Sequence, residues 1–233
     1  MIACLHLSKS YGAECSLFRG ATLMVQKGET VVISGAAGSG KSTLLRILLA
    51  MEPPDSGQVL LLGRNVQELS PRNLAALRRK MGVVSPDGPL AAAWTVFENV
   101  ALPLVLAGKE SRFARKRVFQ TLEALGLERK ANTRCVALDA SERRRVEIAR
   151  AAVHNPLVLL GDEPFEGLEP EERSQVVALF SALNVTGGTL VLLSRSTPEM
   201  LGMAGARWVR LVRGRFMEGF STSMADTAAA VFG

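Results

Sequence analysis

Residues 35–43 read GAAGSGKST, and the frame G-x-x-x-x-G-K-S is made of the residue types that hold a phosphate chain. Gly35, Gly38 and Gly40 permit backbone turns that aim successive N–H groups at an anion. Lys41 would reach the β- and γ-phosphates, and the Ser42 hydroxyl would ligate Mg²⁺. Ala36, Ala37, Ser39 and Thr43 complete the stretch that would wrap the phosphates. A second constellation, Asp162-Glu163-Pro164, closes an apolar run far downstream. Mg²⁺ prefers hard oxygen ligands, so Asp162 would hold it, directly or through water. Glu163 would orient or deprotonate an attacking water. An acidic pair alone says little. Beside an intact phosphate loop it points to binding of a nucleoside triphosphate, with a base at hand for its hydrolysis.

Such residues need elements to bring them together. Residues 30–34 (TVVIS) form an apolar, β-branched run that predicts a buried strand, and residues 44–49 (LLRILL) predict a helix packed on a sheet. That order points the helix N-terminus at the loop. Further strands are expected at residues 2–7, 17–25, 58–62, 82–85, 157–160, 189–194 and 206–212. Turns fall at 27–29, 52–57, 63–65 and 213–215, and Tyr11 sits in a polar turn, SKSYG. Ser70-Pro71 has the form of an N-cap followed by proline, opening a helix to about Lys80. Residues 86–154 carry helical patterns without strands. Thr95 with Glu98 makes a capping box for a helix to about Leu106. Another helix covers 111–125, residues 126–140 are irregular, and Ser141 caps a basic helix ending near His154. A helix at 171–183 follows. Strands alternating with helices imply a mostly parallel sheet interrupted by a helical insertion. The tail, 221–233, is small and alanine-rich and expected to be loosely held.

A chain of 233 residues, nearly half hydrophobic, can bury one sizeable core. No apolar run reaches the roughly 18 to 20 residues of a membrane span, and the N-terminus lacks the order of a signal peptide. Cys4, Cys15 and Cys135 are scattered, not in metal-ligand spacing, and read as reduced thiols without chemistry. The net charge of +6 is spread over helical patches such as 112–117 and 143–145, which read as solvated faces.

The apolar run into Asp162-Glu163-Pro164, the helical insertion and the basic stretch ERRRVEIARAAVHNP before that run stand in the order of ABC transporter ATP-binding subunits. The chain resembles that family across nearly its whole length. RRKMGVV followed by TVFENVALPLVLAG is most similar to the bacterial cell-division, lipoprotein-release and macrolide-export group. The resemblance implies an α/β fold: a P-loop NTPase (RecA-like) core, an antiparallel β portion near the N-terminus and an inserted helical subdomain at 86–154, all in a single domain over 1–233. It implies ATP and Mg²⁺ as ligands, with Tyr11 stacked on adenine. It also implies an integral-membrane partner whose coupling helix lies between core and helical subdomain, and a homodimer or heterodimer of ATP-binding subunits. The expected place is peripheral, on the cytoplasmic face of the inner membrane. Nucleic acid is not an expected partner, because relatives acting on it usually carry two cassettes in tandem.

Several positions depart from the family pattern. Its active unit is a head-to-tail dimer in which each ATP lies between one P-loop and the other subunit's signature, LSGGE. The matching residues here are Leu138-Asp139-Ala140-Ser141-Glu142. Asp139 would set a carboxylate near a triphosphate, and Ala140 and Ser141 add Cβ atoms where close approach is needed. The glutamine that senses Mg²⁺ and water aligns with Pro86, the interface aspartate with Glu169, and the switch histidine with Arg195. Arg195 could reach a γ-phosphate but carries a permanent charge. Two readings follow. The chain is an ATPase subunit whose activity is impaired or depends on a partner, or it is a non-hydrolysing ATP-binding module that controls assembly with a membrane protein. Glu163 favours the first, and the lost glutamine and histidine favour the second.

Overall fold

The segments TVVIS, VLLGD and TLVLLS are near-continuous hydrophobic runs, the pattern of parallel strands covered on both faces. The structure is a computed structural model that describes residues 2–12, 15–86, 88–196, 198–203 and 205–218. In it these runs are β3 (Thr30–Ser34), β7 (Val158–Asp162) and β8 (Thr189–Ser194). With β6 (Met81–Val84), β9 (Arg207–Val212) and β10 (Arg215–Glu218) they build a six-stranded sheet of order β10-β9-β3-β8-β7-β6. Every pairing in it is parallel except that of β10 with β9. A second, antiparallel sheet has the order β2-β1-β4-β5, from β1 (Ile2–Tyr11), β2 (Cys15–Val25), β4 (Ser56–Leu61) and β5 (Arg64–Asn65).

Successive residues of a strand face opposite sides of its sheet, and this splits the core in two. Val31, Ile33, Leu160, Val191 and Leu193 pack with α1 (Lys41–Leu48) and the antiparallel sheet, against Leu7, Phe18 and Leu44. Val32, Leu159, Leu190 and Leu192 face the other way, onto helices. Those helices are α3 (Val96–Leu106), α4 (Ser111–Ala124), α5 (Ala140–Ala152) and α6 (Pro170–Val185). Two smaller ones complete the set, α2 (Pro71–Arg78) and α7 (Pro198–Leu201). Between 86 and 154 the described chain holds α3 to α5 and 3₁₀ turns, with one isolated bridge, Thr95 to Arg134.

The expected starts of α2 and α3 are found. Ser70 accepts from the Asn73 N–H with Pro71 in the first turn, and Thr95 and Glu98 cap each other. Other boundaries are corrected. β1 runs through Tyr11, so that residue ends a strand instead of occupying a turn. Arg64 and Asn65 pair with β4, and β10 extends a hairpin past the turn at 213–214. The helix after residue 138 is capped by Asp139, not Ser141, because the Asp139 carboxylate reaches the Glu142 N–H at 2.7 Å. The tail at 221–233 lies outside the described residues. No helix among the described residues is long and apolar enough to cross a membrane.

Phe165, just after Asp162-Glu163-Pro164, meets the buried Phe180 of α6 edge to face, with ring centroids 5.8 Å apart. This contact anchors the acidic turn to the helical layer. Phe180→Ala should lower stability in urea unfolding by about 3–5 kcal/mol, the usual cost of emptying a buried aromatic site. A loss within about 0.5 kcal/mol, as for a surface change, would show that the turn is held elsewhere.

Candidate functional site

The phosphate loop joins β3 to α1 and is shaped by two glycines. Gly40 occupies the N-cap of α1 at φ 101°, a left-handed conformation that only glycine takes without strain. A Cβ on Gly35 would lie 2.7 Å from Ser39 Oγ and 3.0 Å from the Leu211 carbonyl oxygen, so a side chain does not fit. Lys41 Nζ donates to the carbonyls of Gly35 at 2.7 Å and Ala36 at 3.2 Å, holding the loop closed on itself. Ser39 Oγ is buried without a hydrogen-bond partner. The first turn of α1 carries neither an acidic residue nor a side-chain cap, which leaves its N–H groups available to an anion.

The acids arrive at the end of β7, which β8 separates from β3. β7 ends at Asp162, which is 5% exposed. Glu163 follows at φ 48°, its N–H donating to the Leu193 carbonyl at 2.9 Å. A non-glycine residue in that region stores about 1–3 kcal/mol of strain, and here the turn aims its carboxylate at two cations. Glu163 Oε1 lies 3.8 Å from Lys41 Nζ and 3.3 Å from Arg195 Nε, and Oε2 accepts the Arg195 N–H at 3.0 Å. The other end of Arg195 reaches Glu166 Oε1 at 2.5 Å.

These groups surround one cavity of about 390 Å³. Its lining includes Ala37, Gly38, Ser39, Gly40, Lys41, Ser42 and Thr43, together with Asp162, Glu163 and Arg195. Gly35 and Ala36 lie behind it, their carbonyls on Lys41. Pro86 and two residues not anticipated, Leu17 and Glu166, also line it. Glu166, three residues past Glu163 in an exposed turn, could have been flagged by that spacing; Leu17 looks like any strand residue. Tyr11 is outside the lining. It is 46% exposed, and its hydroxyl donates to Glu52 Oε1 at 2.6 Å. That hydrogen bond, ahead of those from Lys9, holds the Glu52 carboxyl below its ordinary range.

The residues present fit Mg²⁺. Ser42 and Asp162 offer hard oxygens to one cavity. No group of three or more His, Cys, Asp or Glu among the described residues could hold a metal alone. An ion here would therefore complete its shell with phosphate and water oxygens, as Mg²⁺ ordinarily does.

The N-terminus of α5 is the opposite of that of α1. Asp139 accepts from the Glu142 N–H at 2.7 Å, and Glu142 accepts from the Asp139 N–H at 3.2 Å, so the helix end is satisfied by its own side chains. Lys130 neutralises Glu142 at 2.9 Å. Ser141, inside the first turn, donates to Glu172 of α6 at 2.6 Å. Glu169 is the N-cap residue of α6, its N–H donating to Glu172. A second cavity of about 470 Å³ lies between α2 and β6 on one side and α3 and α5 on the other. Met81, Leu102, Pro103 and Leu106 give it an apolar floor, with Arg79 and His154 at its edge. Burial pushes the His154 imidazole below its ordinary pKa.

A parallel sheet with a phosphate loop after β3 and an acidic pair at the end of β7 defines a P-loop NTPase core with an added helical layer. The chain belongs to the ABC transporter family, whose sequence model matches residues 18–166. It is 36% identical over 211 residues to the cell division ATP-binding protein FtsE of Escherichia coli, covering 88% of this chain and 95% of that one. FtsE of Mycobacterium tuberculosis is 38% identical over 218 residues, covering 93% and 94%. The methionine import ATP-binding protein MetN of Mesorhizobium japonicum is 37% identical over 199 residues, covering 85% of this chain and 54% of that one. Among solved structures, the dimeric ABC transporter cassette MJ0796 matches with TM-score 0.85 at 31% identity, over 94% of this chain and all of that one. Its post-hydrolysis state bound to ADP and Pi matches with TM-score 0.84 at 30% identity, with the same coverage. The resemblance to the cell-division group is thus borne out.

The capping box on α5 has a measurable consequence. Asp139→Ala should cost about 0.5–2 kcal/mol in thermal or urea unfolding, whereas Asp139→Ser should be near neutral because serine caps equally well. Equal losses in both variants would mean that the carboxylate charge, not the cap, supports this helix end.

Proposed function

We propose that this chain is the ATP-binding subunit of a membrane complex of the cell-division or lipoprotein-release/export type. It binds Mg-ATP and hydrolyses it weakly, or only with a partner. One observation carries this reading. The phosphate loop and the acidic pair meet in one cavity, while the helix end that a partner copy would need is occupied by its own Asp139 and Glu142.

Residues Gly35, Ala36, Ala37, Gly38, Ser39, Gly40, Lys41, Ser42 and Thr43 would wrap the triphosphate, with the α1 N–H groups and Lys41 on the β- and γ-phosphates. Ser42 and Asp162 would hold Mg²⁺, which when bound neutralises charge on the phosphate oxygens. Glu163 would orient the attacking water and accept its proton, and Arg195 would approach the γ-phosphate. Tyr11, with much of its ring exposed, would stack on adenine beyond the cavity. The apolar groove beside α3 suits a segment of an integral-membrane subunit, which would place this chain peripherally on the cytoplasmic face of the inner membrane. The dimeric MJ0796 cassette supports assembly with a second ATP-binding subunit, like or unlike. The self-capped α5 supports a second reading, a non-hydrolysing ATP-binding module that regulates assembly.

Calorimetry should detect Mg-ATP binding to the isolated chain, and Lys41→Ala should weaken it by about 1.5–3 kcal/mol, the worth of a charge-assisted contact. Absence of binding at millimolar nucleotide would end the proposal. Turnover by the isolated chain should be very slow. Asp139→Ser, Ala140→Gly and Ser141→Gly together should raise it, because one oriented donor at a transition-state charge is commonly worth about 100- to 1000-fold. Adding Glu163→Gln should abolish that gain. Brisk turnover by the wild-type chain would show instead that the altered signature is no obstacle.

A further inference from the structure

We infer that Glu166 competes with the γ-phosphate for Arg195, so that this chain's own carboxylate tunes how strongly its site prefers a triphosphate to a diphosphate. The inference rests on the ATP site proposed above. Arg195 is the first residue past β8, and its guanidinium spans two carboxylates, with Nε 3.3 Å from Glu163 and Nη2 2.5 Å from Glu166. The turn that carries both acids is closed by the Glu166 N–H donating to the Glu163 carbonyl at 3.1 Å. All three side chains line the nucleotide cavity.

The Nε–Nη2 edge is the face of arginine that forms paired hydrogen bonds with carboxylate or phosphate. Here Nη2 already donates to Glu166 Oε1, and Nε stands within ion-pair distance of Glu163. Glu163 Oε1 is shared between Arg195 and Lys41, which stands 3.8 Å away on the phosphate loop. In the ATP site proposed above Arg195 would approach the γ-phosphate, so it is the third phosphate, not the second, that would meet this contest. To offer its paired edge to that phosphate, Arg195 must leave Glu166. The Arg195–Glu166 pair is half-exposed on both sides, at 52% and 55%, so it is a weak latch that a triphosphate can open. Glu166 also adds a like charge beside the incoming anion. A diphosphate ends short of the contest and is indifferent to it.

The test is titration of ATP and ADP, each with Mg²⁺, into the full chain and three variants. Glu166→Gln should tighten ATP about two- to five-fold, the scale of an exposed ion pair, and leave ADP unchanged. Arg195→Gln should weaken ATP about ten-fold, the lower range for a hydrogen bond to a charged group, again sparing ADP. In the double variant the gain from Glu166→Gln should vanish, because the carboxylate acts through Arg195. Three results overturn the inference: no tightening by Glu166→Gln, equal changes for ATP and ADP, or a gain that persists without Arg195. The last would mean direct repulsion of the phosphate by Glu166. Should the wild-type chain bind neither nucleotide, the ATP site itself fails and the latch with it, a distinct outcome from any of these. ADP affinity also reports that each variant is folded.

Discussion

Parallel pairing sets Ser34 opposite Ser194 and Asp162 opposite Leu193, and the whole site hangs from that register. Gly35, Glu163 and Arg195 are each the first residue beyond a strand, so the alignment delivers the phosphate loop, the acid and the arginine to one edge of the sheet. Open α/β sheets bind ligands beyond the carboxyl ends of their strands for this reason. A slip of one residue would exchange the two core faces, sending Val31 and Ile33 toward the helical layer and Val32 away from it. Burial on both sides therefore protects the geometry of a site made largely of exposed loops.

What was legible in the sequence follows the same logic. The phosphate loop, the acidic pair and the caps at Ser70 and Thr95 are local signals, each complete within a few residues; the structure has both caps as read and sets the loop between β3 and α1 and the acids at the end of β7. The resemblance to a family carried the arrangement of the two sheets and the helical layer. Boundaries that depend on a distant partner were harder to read. Tyr11 stays in β1 because it pairs with Cys15 of β2, and Arg64-Asn65 becomes a strand only through β4. Asp139 and Ser141 are both good caps by type. The choice between them falls to Glu142, which answers Asp139 at the capping-box spacing. Glu166 offers only its spacing from Glu163 as a signal. Its place in the cavity exists only because β7 and β8 are neighbours.

The contrast between two helix ends explains how the chain departs from its family's pattern. Asp139 sets a carboxylate where the family's pattern would bring a triphosphate, yet in the folded chain that carboxylate is turned onto the backbone of its own helix. Asp139 and Glu142 satisfy that end from within. Ser141 and Arg145 then tie it to α6 through Glu172, at 2.6 and 2.9 Å. α1 shows the reverse trade. It forgoes any side-chain cap and keeps its first turn free of acids. One helix end is left unsatisfied for a ligand, and the other is satisfied from within.

Charge balance in the cavity carries this further. Asp162, Glu163 and Glu166 stand against Lys41 and Arg195, three carboxylates to two cations, before any ligand arrives. The N-terminus of α1 adds roughly half a positive charge, too little to welcome a bare triphosphate. A phosphate chain accompanied by a divalent cation brings much of its own neutralisation, and on the proposed function Ser42 and Asp162, which line the same cavity, would receive that cation. On the proposed function this surplus of acid would work as a filter. It would disfavour an anion that comes without its metal, and both cations would stay engaged with Glu163 until a ligand carried enough negative charge to draw them away. On the proposed function Glu163 would be freed to act on water only in that event, so the ion pairs that hold the site together would also keep its base out of use.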